Sequence, residues 1–144
     1  MKRFEFPLRR VKDLRERQAE VEEEVLRRRQ LELDEVERRK EALAAEYARQ
    51  EEAAAREPAE LAALEVYRRF VARKQAELDA EALECRRRID EQRAVVIEAR
   101  RKFRLLESLE QRKLTEWRKD CDREEQTIAD ELFLGRWEPR REVS

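Results

Sequence analysis

Apolar residues in the second half of the chain recur at alternating spacings of three and four. Between 61 and 106 the register is interrupted only by Arg68, Gln75 and Gln92. This spacing draws one narrow apolar stripe along a helix, which packs against another helix because it is too narrow to build a globular core. The sequence therefore predicts a coiled-coil rod. The seam residues are Leu61, Leu64, Val71, Leu78, Ala82, Cys85, Ile89, Val96, Ala99, Phe103 and Leu106.

A second stripe runs through the first half of the chain, with a shift of register between Val25 and Leu33. Pro58 separates the two stripes; it lacks an N–H donor and disfavours helix at the residue before it. The fold class expected is all-α, with two long helices, about 7–56 and about 59–134, joined by a turn at about 57–60. They would form an antiparallel coiled-coil hairpin with an overhanging C-terminal helix. The alternative is one continuous helix kinked at the proline.

The domain organisation expected is a single coiled-coil domain over 1–137 followed by a flexible tail over 138–144. Gly135 is a natural residue to end the second helix, and Pro139 supports a stop there. In the overhang, the apolar stripe would need a partner other than the first helix. That continuation comprises Leu114, Trp117, Cys121 and Ile128.

The high content of charged residues, together with helical periodicity, is typical of a coiled coil; without the periodicity it would indicate disorder. Asp, Glu, Lys and Arg make up 49% of the 144 residues, yet 35 basic residues balance 36 acidic ones for a net charge of −1. Pairs four residues apart, such as Glu84 with Arg88, would stabilise exposed helix by roughly 0.2–0.5 kcal/mol each. The arginine runs are interrupted by acids, so a continuous basic face for nucleic acid is not expected.

Catalytic and metal-binding patterns are not evident in the sequence. The chain has no His, and its two Cys, at 85 and 121, lack the spacing of a metal or redox motif. Carboxylates on solvated helix faces lack the pocket that catalysis needs. We therefore expect a protein that is not an enzyme, needs no cofactor or metal, does not insert into the membrane and works in a reducing cytoplasm.

The aromatic residues fall into two groups along the chain. Tyr47, Tyr67 and Phe70 lie within twelve residues of Pro58 and would meet near the turn of a hairpin. Exposed aromatics are typical contact anchors, although these three could instead widen the hairpin core. The other aromatics belong to the opposite end: Phe4, Phe6, Phe103, Trp117, Phe133 and Trp137.

Short segments in a characteristic order resemble the FliJ family, the small coiled-coil component of the bacterial flagellar type III export apparatus. The resemblance covers nearly the whole chain. The segments are Lys2-Arg3-Phe4-Glu5-Phe6-Pro7-Leu8, Tyr67-Arg68-Arg69-Phe70-Val71, Ala99-Arg100-Arg101-Lys102, Leu106-Glu107-Ser108-Leu109, Arg112-Lys113, Glu124-Glu125-Gln126 and Asp130-Glu131.

The resemblance implies a stalk-like protein that binds the hexameric export ATPase, promotes its assembly and activity, and contacts the cytoplasmic linker of the membrane export gate. It also implies handling of export chaperones, a monomeric state, and a peripheral location on the inner face of the cell membrane at the flagellar base. The residues implied for the gate contact are Leu43, Tyr47, Tyr67, Phe70 and Val71. Those implied for the ATPase contact are Phe4, Phe6, Leu8, Val11, Leu14, Phe103, Leu106, Leu109, Leu114, Trp117 and Ile128.

Four other interpretations stay open on the sequence. One is a structural coiled coil in which kinked helices form a parallel homodimer. Another is the stalk protein of a virulence-type secretion system, which is close in design. The remaining two are a helical protein that binds nucleic acid and an export chaperone in its own right.

Overall fold

The structure, a computed structural model, describes the backbone of residues 2–54 and 57–142 and the side chains of 2–54 and 57–136. Over these residues the fold is all-helical. Helix α1 spans Arg9–Ala53 and helix α2 spans Pro58–Glu142, and the two long helices pack together. Two separate helices in contact contradict the alternative of one continuous kinked helix.

Helix α1 begins two residues later than expected, because Pro7 and Leu8 form a turn before it. The N–H of Arg9 donates to the carbonyl of Phe6 at 3.1 Å, and the N–H of Lys12 donates to the carbonyl of Leu8 at 2.9 Å. These bonds tie the segment that precedes the helix to its first turn.

The break between the helices lies before Pro58, whereas the sequence predicted a turn at about 57–60; residues 58–60 already belong to α2. Helix α1 ends at Ala53, and the predicted end at Arg56 lies outside the described residues. Pro58 is the first residue of α2, where its missing N–H costs nothing, because the first N–H groups of a helix have no partner within it. The N–H of Leu61 donates to the carbonyl of Glu57 at 3.0 Å and closes the first turn.

Helix α2 extends past the predicted end near 134, through Gly135 and Pro139, to Glu142. Gly135 does not adopt a positive φ, so it does not form the left-handed cap that ends many helices. A single glycine costs a helix only about 1 kcal/mol relative to alanine, and Pro139 removes one N–H close to the helix end. Most of the predicted tail is therefore helical, and its last two residues, 143 and 144, lie outside the described part.

The chain divides into two compact units. One, the central unit, comprises 18–99; the other, the terminal unit, comprises 1–17 and 100–144. In the central unit the core is narrow, with Val36 packed on Ala82 and Cys85 and flanked by Leu33 and Leu78. The buried side chains of this unit are Ala19, Val36, Val71, Ala82, Cys85 and Ile89.

Polar contacts across the two helices follow a consistent order within the central unit. The guanidinium of Arg39 lies 3.0 Å from the carboxylate of Glu81. Earlier on α1, the carbonyl of Glu22 accepts a hydrogen bond from the side-chain amide of Gln92 at 3.0 Å. Residues that lie earlier in α1 therefore contact residues that lie later in α2.

The terminal unit buries two aromatic side chains, Phe6 and Phe103, among its described residues. The ammonium of Lys12 lies 6.0 Å from the centroid of the Phe103 ring and 3.1 Å from the carboxylate of Glu110. The guanidinium of Arg100 lies 5.9 Å from the same ring. The contacts of Lys12 with Phe103 and Glu110 join α1 to α2 in this unit, whereas Arg100 lies on the same helix as the ring.

Candidate partner-binding surfaces

Three aromatic rings meet close to the break between the helices, and we call Tyr47, Tyr67 and Phe70 the break-side aromatic group. The ring centroids of Tyr47 and Tyr67 lie 6.1 Å apart, and those of Tyr67 and Phe70 lie 6.3 Å apart. These distances are typical of favourable aromatic pairs. The sequence correctly predicted that the three residues gather. Because Tyr47 comes from α1 and the other two from α2, the group also joins the helices.

The outer edge of this group faces solvent. Phe70 is 42% exposed, and the ammonium of Lys74 lies 5.9 Å from its ring centroid. Arg68 donates to the carboxylate of Glu65 at 2.9 Å, and this bond holds the pKa of Glu65 below its ordinary value. An exposed aromatic ring can insert into an apolar pocket of a partner protein, and the charged side chains around the ring can then orient that partner.

Two other residues implied for the gate contact are less accessible. Leu43 is half-buried. Val71 is only 3% exposed, so its side chain belongs to the packing between the helices and is not available to a partner. This burial agrees with the position of Val71 on the predicted seam and argues against its assignment as a contact residue.

The segment that precedes α1 lies against α2 in the terminal unit. The Phe4 and Trp117 rings have centroids 6.0 Å apart, and the indole Nε1 of Trp117 donates to the carbonyl of Lys2 at 3.1 Å. Phe6 is buried. At Trp117, the partner other than the first helix that the sequence predicted is the chain's own segment 2–6, which precedes α1. The alternation of Phe4 and Phe6 before Pro7 was the available signal for an extended segment with an apolar side.

The other residues implied for the ATPase contact differ in accessibility. Leu106, Leu109, Leu114 and Trp117 are half-buried, and so is Phe4. Phe6 and Phe103 are buried and serve the packing of the terminal unit. The residues that are exposed are Leu8, Val11, Leu14 and Ile128.

The last described part of α2 presents apolar side chains to solvent. Every side chain from 122 to 136 is exposed. Leu132, Phe133 and Leu134 are each more than half exposed. Sequence reasoning did not single out Leu132 or Leu134, although both lie within the predicted second helix. The available signal was that Leu132 continues the seven-residue repeat four residues after Ile128.

Cys121 lies at the start of this exposed part and is half-exposed. Partial burial raises the pKa of its thiol, and the carboxylates of Glu124 and Asp122 raise it further. A raised pKa keeps the thiol protonated near neutral pH, which makes it a poor nucleophile. The arrangement therefore supports packing rather than reactivity at this position.

Over the described residues, no helix is long and apolar enough to cross a membrane. In the same part of the chain, no three His, Cys, Asp or Glu side chains are arranged to hold a metal ion. The chemistry that the described surfaces offer is recognition through aromatic and aliphatic side chains bordered by charge.

Comparisons with protein-family models, with curated proteins and with solved structures found no match to this chain.

Proposed function

We propose that this chain is a non-enzymatic, stalk-like component of a bacterial flagellar type III export apparatus. In this role it binds the hexameric export ATPase, promotes assembly and activity of the hexamer, and couples it to the membrane export gate. The resemblance of the sequence segments to the FliJ family supports the proposal, as does the packing of two long helices. The observation that carries it is the break-side aromatic group, which presents the partly exposed Phe70 on a surface that is otherwise highly charged.

The finer architecture that we propose is an antiparallel coiled-coil hairpin with an overhanging C-terminal helix. The order of cross-helix contacts in the central unit supports it, since Tyr47 pairs with Tyr67 and the earlier Glu22 with the later Gln92. In the terminal unit, Lys12 pairs with Glu110 and the earlier Phe4 with the later Trp117, which is the same order. Antiparallel helices joined at Pro58 produce this order.

The proposed division of labour assigns one partner to each aromatic region. The break-side aromatic group contacts the cytoplasmic linker of the gate, because clustered aromatics are common anchors of protein interfaces. The terminal unit contacts the ATPase through the exposed residues Leu8, Val11, Leu14 and Ile128. Coupling requires that the chain bind the two states of the gate with different affinity, since a ligand shifts an equilibrium only by such a difference.

The proposal is tested by ATP hydrolysis. The export ATPase of the same organism is assayed with and without this chain, while light scattering follows the size of the ATPase oligomer. We expect faster hydrolysis together with hexamer formation at about one chain per ring. A folded chain that neither binds the ATPase nor changes its rate would refute the proposal. A parallel assay with a virulence-type secretion ATPase separates the flagellar role from that closely related one.

The division of labour is tested with the double variant Tyr67→Ala/Phe70→Ala. Loss of two anchors, each worth more than 1 kcal/mol, should weaken binding to the gate linker by at least about tenfold. Stimulation of the ATPase should be unchanged. Val66→Ala is the matched control, because Val66 lies beside Tyr67 and is 68% exposed but is outside the aromatic group. If gate binding and ATPase stimulation decline equally in the double variant, the assignment of one partner to each region is wrong.

The oligomeric state separates this proposal from a structural homodimer. We propose a monomer, located at the inner face of the membrane through its partners, with handling of export chaperones as an accompanying role. Sedimentation equilibrium should give the mass of one chain, 17.6 kDa. A stable dimer at micromolar concentration would favour the structural coiled coil instead.

A further inference from the structure

A short non-helical part of this chain occupies a groove on α2. Residues 2–6, which we call the N-terminal segment, precede the turn at Pro7 and Leu8 and line one side of the groove. On the α2 side the apolar lining residues are Leu109 and Trp117. All of these residues belong to the terminal unit. The structure therefore shows directly what covers this part of α2.

The contacts in the groove define the kind of occupant that fits it. The indole N–H of Trp117 donates to the main-chain carbonyl of Lys2 at 3.1 Å. Carbonyls inside a helix already accept a bond from their own helix, so this donor favours a non-helical occupant. The Phe4 and Trp117 rings have centroids 6.0 Å apart, and Phe6, two residues further on, is buried. Residues two apart share one side of an extended chain, so the groove suits an extended segment with aromatic residues at that spacing.

Charge does not select the occupant of this groove. Lys113 lines it together with Glu116 and Asp120. The N-terminal segment is itself mixed, with two basic residues and one glutamate. Selection therefore comes from the two aromatic rings and the main-chain hydrogen bond.

The N-terminal segment can leave the groove while both helices stay folded. It is joined to α1 through the turn at Pro7, where the N–H of Arg9 donates to the carbonyl of Phe6 at 3.1 Å. Phe4 and Trp117 are both half-buried, so their contact is open to solvent on one side. Ordering the five residues of the segment costs conformational entropy that these contacts must offset. Such a segment opens at a lower free energy than the helices beside it.

We propose that the N-terminal segment is a displaceable cover over a peptide-binding groove, and that the groove accepts from another protein an extended segment with aromatic residues two apart. The cover acts as an internal competitor, because a partner gains the groove only in molecules whose cover has opened. A tethered competitor has a high effective concentration, so modest contacts keep the groove closed. The inference does not rest on the proposed export role, since it follows from contacts within the terminal unit alone.

The test measures the binding of a labelled peptide by fluorescence anisotropy. The probe peptide has the sequence of residues 2–8. The control peptide has the same composition, but its glutamate and first phenylalanine are exchanged, so that the two aromatic residues become adjacent and point to opposite sides of an extended chain. Each peptide is titrated with the whole parent chain and with the whole chain carrying Phe4→Ala/Phe6→Ala, whose own cover lacks both aromatic anchors.

We expect the double variant to bind the probe peptide at least about tenfold more tightly than the parent does, because its cover no longer competes. It should also bind the probe at least about tenfold more tightly than the control peptide, because only the probe presents both rings on one side. Equal affinity of the parent and the double variant for the probe would overturn the internal competition. Equal affinity of the double variant for the two peptides would overturn the aromatic spacing.

A single variant separates competition from a loss of folding. Phe4 is half-buried and lies outside the helices, so Phe4→Ala should keep the helix content of the parent in circular dichroism. It should still bind the probe peptide more tightly than the parent, by a smaller factor than the double variant. A Phe4→Ala chain with intact helix content and unchanged affinity for the probe would overturn the proposal.

Two further substitutions in the double variant locate the site. Trp117→Ala should weaken binding of the probe at least about tenfold, because it removes both the ring contact and the hydrogen-bond donor. Phe133→Ala is the matched control, since Phe133 is an aromatic residue of α2 that is 68% exposed, and it should leave binding unchanged. Equal binding by these two chains would overturn the assignment to this groove. A complex between the parent and the double variant as tight as the probe complex would make a second copy of this chain the occupant, and would overturn the assignment to another protein.

Discussion

Replacement of Val36 by alanine tests whether the narrow core of the central unit holds the two helices together. Val36 is 1% exposed and packs on Ala82 and Cys85. The matched control is Val66→Ala, the same chemical change on a side chain that is 68% exposed in the same unit.

The expected magnitude follows from what each variant loses. Two buried methyl groups are worth about 1.6 kcal/mol in transfer from water. The cavity left behind adds about 1 kcal/mol. Alanine forms helix more readily than valine, and this difference offsets the loss by about 0.6 kcal/mol. Val36→Ala should therefore lower the free energy of unfolding by about 2 kcal/mol. Val66→Ala loses little burial, so it should leave stability unchanged or raise it by up to about 0.6 kcal/mol.

Urea denaturation followed by far-UV circular dichroism measures both effects, provided that the slope of free energy against urea is the same in all three proteins. The reasoning would be refuted if the two variants had the same unfolding midpoint. Helix propensity alone would then account for stability, and contact between the helices at Val36 would contribute nothing.

Three further predictions follow from contacts described above. In a Trp137→Phe background, Phe4→Ala should shift the emission of Trp117 to longer wavelength and increase its quenching by acrylamide; an unchanged spectrum would show that the N-terminal segment does not cover the indole. Gln92→Leu should raise the free energy of unfolding by about 1 kcal/mol and promote self-association in sedimentation, because a polar seam residue limits both; a lower urea midpoint would contradict this. The pKa of Glu84 is lowered from about 4.5, mainly by a hydrogen bond from the side chain of Arg87. The ionised carboxylate therefore stabilises the fold above that pH, and this stabilisation is lost as pH falls through the lowered pKa. Glu84→Gln should therefore show a smaller drop in melting temperature than the parent between about pH 7 and about pH 3, and an equal drop would contradict the assignment.

The seven-residue repeat predicted the core of α2 well. Val71, Ala82, Cys85, Ile89 and Phe103 are all buried, and all were assigned to the seam. A helix fixes which residues share a face, so spacing alone is enough to identify that face. The same spacing, with Pro58 between the stripes, also predicted the separation into two helices.

Other features depend on contacts that spacing does not encode. Val11 and Leu14 lie on the first stripe but remain exposed, since an apolar position is buried only where a partner reaches it. Trp117 is covered by residues 2–6, a non-helical segment that helix periodicity cannot place. Helix α2 continues through Gly135 because one glycine costs a helix only about 1 kcal/mol relative to alanine, which is too little to end a long helix.

The narrowness of the core has a consequence for how the chain opens. Only eight of the described side chains are buried, and the cluster of Val36, Ala82 and Cys85 packs at one level of the central unit. Stability in such a structure is close to a sum of local terms, as in repeat proteins, so separate levels can open without global unfolding. Amide hydrogen exchange should therefore be slowest around Val36, Ala82 and Cys85 and faster at levels that lack a buried side chain. A partner protein that binds one stretch of helix then requires only the free energy of opening that stretch, and the rest of the helix pair stays closed.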